Sequence, residues 1–426
     1  MGKIKEKALS ILKKSDAKHI AMLSAGVLSG QAISMIAQLI TTRLYSPEAF
    51  GNLSLIVSLA SMYTPIATLQ YHISIVNAQD DDEYPLCKLN VFTILLTSVI
   101  FLIGLIINQS VSPGKYKDVG NWVFVSVLLF LMTGITSLVE SYNNRHSEYK
   151  LMSKVTLQRS IVSNVVRIIL GFFKTNFIGL VISQCLGTIA GIKKQSQSMI
   201  KHMKEILAAK NNDVIRVAKK YIHQPLYALP GLFILQFSYS NLAVIINTIY
   251  SSREGGFFSL SVTVLGLPLS LVSNNVARVF FKKASEEKEK TGCFYNTFKN
   301  TSILLITVSF IGFFILWLIA EPLFGLFYGQ AWIRGGTLVK FLVPMYAMRF
   351  ILTGMLHGFV ICNKQRLKTI LQSLFIIAMG IGYYLAKYCA YTIEEFLTFI
   401  NWSYFLLYIL LFIVLWRQSR IKSQTS

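Results

Sequence analysis

Arg167 and Arg349 each stand near the middle of a long run of apolar residues, and Arg278 stands towards the end of another. An ionised side chain near the centre of a bilayer costs at least about 2.5–3.5 kcal/mol on insertion scales, so it must face water or a partner. A guanidinium is a permanent charge with a planar fork of donors that matches phosphate oxygens. The chemistry these positions offer is capture of an anion. For Arg278, as for Arg43, Lys174 and Lys340, a plainer reading is that a long side chain near a helix end reaches back to the headgroups.

Helical spacing gives the arginines neighbours, because residues three, four, seven or eleven apart share a face. Ser163, Asn164, Arg167 and Lys174 form one stripe, Tyr346, Arg349, Thr353 and His357 a second, and Ser270, Asn274 and Arg278 a third. Ser24, Gln31, Ser34 and Gln38 give the first apolar run an amide face, and Gln236, Ser240 and Asn247 give one to the seventh. Arg167, Arg349, Arg278, Gln31, Gln38, Gln236, Asn247 and Asn274 are the expected lining of a polar path. The competing role for each amide or hydroxyl is to join helices by hydrogen bonds.

Acids are scarce in the apolar runs, with Glu140 towards one end of the fourth and Glu321 at the end of the ninth. A cation carrier is expected to bury a carboxylate, so the balance favours an anionic substrate. Glu140, His72 and His357 are the candidates for proton uptake if the cycle is ion-coupled, although a lone histidine in a membrane helix is more often a packing residue. The five cysteines have no paired spacing and support neither a disulfide framework nor a zinc site. Neither a metal nor a cofactor is expected, and no phosphate loop of the Gly-x-x-x-x-Gly-Lys-Ser/Thr type is present.

The elements that must hold these residues are membrane helices. Of the 426 residues 54% are hydrophobic and 14% charged, where a soluble domain carries roughly a quarter charged. Runs of about 20 apolar residues, enough to cross the hydrocarbon layer, recur along the chain. The expected spans are 20–42, 53–77, 89–108, 122–142, 157–173 and 176–192, then 222–250, 255–281, 301–320, 337–362, 369–388 and 396–416. This is an all-α polytopic membrane protein of about twelve helices. The first span follows a basic leader, Lys3, Lys5, Lys7, Lys13, Lys14 and Lys18, without the cleavage pattern of a signal peptide, and reads as retained. If the N-terminus is cytoplasmic, about 30 of the 41 Lys and Arg fall inside and about eight outside, as the positive-inside rule requires. An even number of spans returns the C-terminus to the same side. The net charge of +22 is accounted for by topology and anionic lipid, with nucleic-acid binding the weaker explanation. Pro65, Pro230, Pro268 and Pro344 fall inside spans, where a lost backbone hydrogen bond permits bending.

The segment from Tyr45 to Leu55 repeats from Tyr250 to Leu260, with Tyr45, Ser46, Gly51, Ser54 and Leu55 matching Tyr250, Ser251, Gly256, Ser259 and Leu260 without a gap. Each copy joins the first two spans of a six-span half. A repeat that follows an even number of spans keeps its orientation, and transport folds commonly hold substrate between two such repeats. The expected organisation is a leader at 1–19, a six-helix lobe at 20–192, a basic cytoplasmic linker at 193–221, a second lobe at 222–416 and a cytoplasmic tail at 417–426.

The stretch Gly30-Gln31-Ala32, then Thr42-Arg43-Leu44-Tyr45-Ser46-Pro47-Glu48-Ala49-Phe50-Gly51, then Pro65-Ile66-Ala67-Thr68-Leu69, resembles the opening of bacterial polysaccharide flippases. These belong to the multidrug/oligosaccharidyl-lipid/polysaccharide (MOP) exporter superfamily, and the likeness is to its O-antigen and capsule repeat-unit translocases. The acidic run Asp80-Asp81-Asp82-Glu83 is similar to the same branch, as are Glu254-Gly255-Gly256-Phe257-Phe258-Ser259-Leu260 and Leu267-Pro268-Leu269. The resemblance implies a MATE-like arrangement of two six-helix lobes around a cationic cavity, with Arg167, Arg349 and Arg278 as the matching candidates. It implies a flippase of the bacterial inner membrane that moves an undecaprenyl-pyrophosphate-linked glycan from the cytoplasmic to the periplasmic leaflet. Implied partners are that lipid-linked glycan, the surrounding lipid, and the O-antigen polymerase and chain-length regulator that act next. Two alternatives remain open: a drug or cation antiporter of the same fold, which predicts buried acids, and an O-antigen polymerase or ligase, which predicts a large external loop.

Overall fold

The computed structural model describes residues 25–421, so the basic leader at 1–19, Ser24 and residues 422–426 lie outside the described part. Among the described residues every regular element is helical, and twelve helices are long and apolar enough to cross a bilayer. In chain order these are α1 (Ala25–Leu44), α2 (Pro47–Ile66), α3 (Asp80–Val111), α4 (Gly120–Arg145), α5 (Tyr149–Phe172) and α6 (Asn176–Gln195). After a stretch of short helices come α7 (Gln224–Tyr250), α8 (Ser252–Thr291), α9 (Tyr295–Phe327), α10 (Gln330–Thr353), α11 (Gln365–Tyr388) and α12 (Ile393–Arg420). Apolar side chains crowd their outward faces, as along α9, where Phe310, Ile311, Phe314 and Leu318 are exposed. Such a surface is stable only against lipid.

Helix ends follow local chemistry. The tight connection between α5 and α6 is made by Lys174 and Asn176, both at φ 52°, with the Thr175 hydroxyl donating to the Leu170 carbonyl at 2.8 Å. The second and tenth helices are shorter than the apolar runs suggest. Beyond Ile66 the chain turns through Leu69 (φ 48°) and Gln70 (φ 63°), and the Gln70 amide donates to the Pro65 carbonyl at 2.8 Å. His72 therefore sits on a separate short helix, Tyr71–Ile75. His357 likewise lies beyond the end of α10, before the short helix Gly358–Ile361. A π turn, Leu269–Ser273, follows Pro268 inside α8, the kind of local widening that accompanies a lost backbone donor.

Packing divides the described chain into two compact units, the residues up to Tyr45 with Tyr63–Leu229, and Ser46–Met62 with Pro230 onwards. By packing, α2 counts with the second unit although it precedes the rest of the first in sequence.

The repeated motif explains that placement. Ser46 and Ser251 both cap the helix they precede: the Ser46 hydroxyl accepts from Ala49 N–H at 3.3 Å and the Ser251 hydroxyl from Glu254 N–H at 3.1 Å. Each cap satisfies an otherwise orphaned donor. Both tyrosines tether a hydroxyl to main chain, Tyr45 to the Arg167 carbonyl at 2.8 Å and Tyr250 to the Tyr391 carbonyl at 3.0 Å. The two glycines face one another across the crossing of α2 and α8, where a Cβ on Gly51 would overlap the Ser252 carbonyl and a Cβ on Gly256 would overlap the Pro47 carbonyl. Small residues let membrane helices approach backbone to backbone. Around them Phe50 packs edge-on against Trp332 at 5.1 Å, and Arg253 pairs with Glu48 at 3.4 Å.

In the first unit the linker is clamped to the end of α3. The Asp82 side chain is fully buried and receives Arg216 Nη1 at 2.7 Å, Lys220 Nζ at 2.6 Å and the Tyr221 hydroxyl at 3.0 Å. These three donors stand on or just after the linker helix Asn211–Lys220, whose Val217 is buried in the core that also holds Tyr71, Ile75 and Leu86. Lys88 adds a bond from its ammonium to the Ala209 carbonyl at 2.6 Å. Glu83 receives Arg145 at 2.9 Å and His146 at 2.8 Å, and Asp80 receives Arg145 at 2.7 Å. The acidic run thus has a structural use: it neutralises cations of the linker and of the end of α4 and complements the N-terminal dipole of α3.

Candidate functional site

The first unit carries Arg167 on α5, five residues before the end of the helix at Phe172 rather than at its middle, because α5 begins at Tyr149, eight residues before the expected span. Its guanidinium turns towards α6, with Nε 3.4 Å from the Ser183 hydroxyl and Nη2 3.3 Å from the side-chain amide oxygen Oε1 of Gln184. These are long bonds to neutral acceptors, and no acid of the described residues forms an ion pair with Arg167 within 4.0 Å. The rest of its stripe joins helices. Asn164 donates to the Ser34 hydroxyl of α1 at 2.9 Å, Ser163 packs against Gly187 of α6, and Lys174 lies exposed in the α5–α6 turn. On α1, Gln31 and Gln38 are half-buried.

Two turns before Arg167, on the same face of α5 and near its middle, is a second cation, which the expected span 157–173 places at its start. Arg159 donates through Nη2 to the Gln195 side chain at 2.7 Å, through Nε to the Ala190 carbonyl at 3.3 Å and through Nη1 to Glu140 at 3.2 Å. The Thr136 hydroxyl is 3.4 Å away. The signal in the sequence is the i, i+4, i+8 series Arg159, Ser163, Arg167, which puts the arginines about 12 Å apart along one helix face.

In the second unit Arg349 of α10 lies over the ring of Tyr239 from α7, 3.8 Å from its centroid, and 5.4 Å from that of Tyr346. Tyr239 meets Tyr404 edge-on at 5.6 Å, its hydroxyl contacts that of Tyr408, and Phe375 closes the cluster against Tyr404 at 4.8 Å. A cation over an aromatic face in a desolvated place gains about 2 kcal/mol. The rings hold the guanidinium plane without neutralising it, since none of them is an anion. Sequence spacing found Tyr346 but not Tyr239, Tyr404 or Tyr408, which arrive from other helices.

The remaining expected residues are not gathered into either cluster. Gln236 bonds Ser240 of its own helix at 3.0 Å. Asn247 is buried, donates to the Ala243 carbonyl at 2.8 Å and packs against Gly255. Asn274 and Arg278 are exposed on α8. His357 is exposed and meets Phe281 edge-on at 5.8 Å, and His72 shares a 2.6 Å hydrogen bond with Thr68. The second acid of the apolar runs, Glu321, pairs with Lys340 at 3.0 Å. Among the described residues no cluster of three or more His, Cys, Asp or Glu could hold a metal ion.

The model of the family described as polysaccharide biosynthesis protein matches residues 40–335. No curated protein sequence matches the chain. Among solved structures, an inward-facing multidrug resistance MATE family transporter of the MOP superfamily aligns with a TM-score of 0.61 at 14% identity, covering 93% of this chain and 96% of that one. An outward-facing transporter of the same description aligns at 0.57 and 11% identity, covering 96% and 97%. A Vibrio cholerae MATE transporter aligns at 0.53 and 10% identity, again covering 96% and 97%. The likeness at these identities is one of fold. With a family match over more than half its length, on the scaffold of MATE transporters, this chain belongs to the polysaccharide biosynthesis protein family and is a multi-pass membrane protein of the MOP superfamily fold.

Proposed function

We propose that the protein is a flippase that carries an undecaprenyl-pyrophosphate-linked oligosaccharide, the repeat unit of an O-antigen or capsule, from the cytoplasmic to the periplasmic leaflet of a bacterial inner membrane. The observation that carries this reading is the pair of membrane arginines whose neighbours are neutral. Among the described residues Arg167 meets a hydroxyl and an amide, and Arg349 is held by tyrosine rings. A diphosphate supplies the missing anion, and a guanidinium can grip it through two parallel N–H bonds. Alternating access then passes the head group across while the prenyl tail stays in lipid, and the glycan is accommodated among amide and tyrosine side chains.

The acids speak against a cation antiporter. Glu140 and Glu321 are each paired with a cation, Arg159 and Lys340, so neither is an open carboxylate ready for a positively charged substrate. Glu140, His72 and His357 remain the candidates for proton coupling.

The test is to replace Arg167 and Arg349 singly with Ala and with Lys, confirm membrane levels, and measure surface glycan. Each charge-assisted hydrogen bond to phosphate is worth about 1.5–3 kcal/mol, so either alanine variant is expected to lower transport at least about tenfold. Lysine keeps charge but not the fork and is expected to fall between. Normal polymer from well-expressed alanine variants at both positions would remove this reading.

A further inference from the structure

We infer that Arg159 is a second anion-binding station of the transport path, and that Glu140 occupies it in place of a substrate phosphate. This rests on the flippase reading above. The station is built by fixed partners on one side and an exchangeable one on the other. Gln195, 1% exposed, holds Nη2 at 2.7 Å through its side chain, and the Ala190 carbonyl holds Nε at 3.3 Å. Gln195 is itself anchored, since the Asn143 amide donates to its carbonyl at 2.9 Å. The guanidinium is thereby oriented from α6, with Arg159 only 18% exposed. Nη1 is left to Glu140, a single contact at 3.2 Å to a carboxylate whose side chain is 42% exposed.

A comparison within the same unit separates this pair from a structural brace. Arg145 grips Glu83 at 2.9 Å with both side chains nearly buried, 12% and 10% exposed, and fills its remaining donors with Asp80 and the carbonyls of Ile75 and Ala78. Glu83 is thus closed in within a network of several short contacts, whereas Glu140 is the accessible end of its pair and makes one longer contact. The Glu140 carboxylate, 42% accessible and held by that one contact, is the partner free to exchange. A diphosphate offers more charge and more acceptor oxygens than one carboxylate, and so displaces it. Arg167, eight residues further along the same face of α5, is the next cation the head group would meet, about 12 Å away. Glu140 then acts as the resident anion that keeps Arg159 compensated between transport cycles, and Gln195 is a positioning residue.

The experiment measures equilibrium binding of farnesyl diphosphate, a prenyl diphosphate without glycan, to the full-length protein in phosphatidylcholine nanodiscs. Glu140→Gln removes the competitor and is expected to tighten binding about two- to fivefold, the worth of a half-exposed pair. Arg159→Gln is expected to weaken it at least about tenfold, with Arg159→Lys between, and the double variant should match Arg159→Gln. Weaker binding by Glu140→Gln, or a double variant as tight as wild type, would make the pair a brace and overturn the inference. If phosphatidylglycerol added to the discs abolishes the Glu140→Gln gain, the station holds ordinary phospholipid and the inference also fails. Binding that is lost in Arg167→Gln and Arg349→Gln but unchanged in the Glu140 and Arg159 variants sinks the station alone. No binding by the wild type sinks the flippase reading as well.

Discussion

Gly51→Ala and Gly256→Ala are expected to destabilise the protein by about 1–3 kcal/mol each, the range for overpacking a close contact. On helix propensity alone the sign would be opposite, since alanine in place of glycine gains up to about 1 kcal/mol in a helix interior. Here the added methyl meets backbone rather than a side chain that could rotate aside: the Ser252 carbonyl for one and the Pro47 carbonyl for the other. Relief requires α2 and α8 to separate, which would disturb the packing of Phe50 on Trp332. Gly266 and Gly312 are the controls, because nothing lies within 4 Å of a Cβ built on either. Thermal unfolding in detergent, followed by size-exclusion fluorescence, should show a fall for the first pair and no fall for the second. Equal behaviour of all four variants would count against the close crossing.

The second large effect is expected at Asp82. Asp82→Asn keeps the side-chain shape but removes the charge that collects Arg216, Lys220 and Tyr221. Loss of charge-assisted bonds at a buried acceptor should raise amide exchange across residues 211–221 at least about tenfold, while exchange in α9 stays as it was. Exchange of deuterium read by mass spectrometry checks this, and Asp82→Lys combined with Lys220→Asp should restore part of the protection. Unchanged exchange in Asp82→Asn would mean that the apolar face of the linker helix holds by itself. The pH dependence has a definite sign. The hydrogen bond to Asp82 raises the pKa of both Lys220 and Arg216 above their ordinary values. Their contribution is complete below the ordinary lysine value and is lost as pH rises through the raised one, so the clamp holds at neutral pH and loosens on the alkaline side.

A carrier with two compact units needs segments that stay attached while others move. The glycine crossing fixes α2 within the second unit, and the Asp82 clamp fixes the linker within the first. Neither involves Arg159, Arg167 or Arg349, so stability and substrate binding should separate experimentally: Gly256→Ala should fail in thermal assays, whereas Arg349→Lys should fail chiefly in transport.

Sequence by itself determined the number of membrane helices, because hydrophobic length is a local property that lipid enforces span by span; it put Arg167 and Arg349 near mid-span, whereas they stand towards the ends of α5 and α10. It also exposed the repeat through Tyr45, Ser46 and Gly51 and their later partners, whose capping and close-packing roles need only nearby backbone. Helix ends at Ile66 and Thr353 were less legible, since apolar residues continue past them while turns at Leu69, Gln70 and Gly354 break the helix. What only the tertiary structure decided is which polar groups meet. Arg159 reads as a residue at the end of a span until Gln195 and Glu140 arrive from two other helices, and Arg349 acquires Tyr239 from more than a hundred positions away. Asn247 and Asn164, indistinguishable from lining residues by spacing, are consumed by helix packing. A helical face is encoded in the order of residues, but what that face meets depends on neighbouring helices whose approach is set by packing across the whole unit.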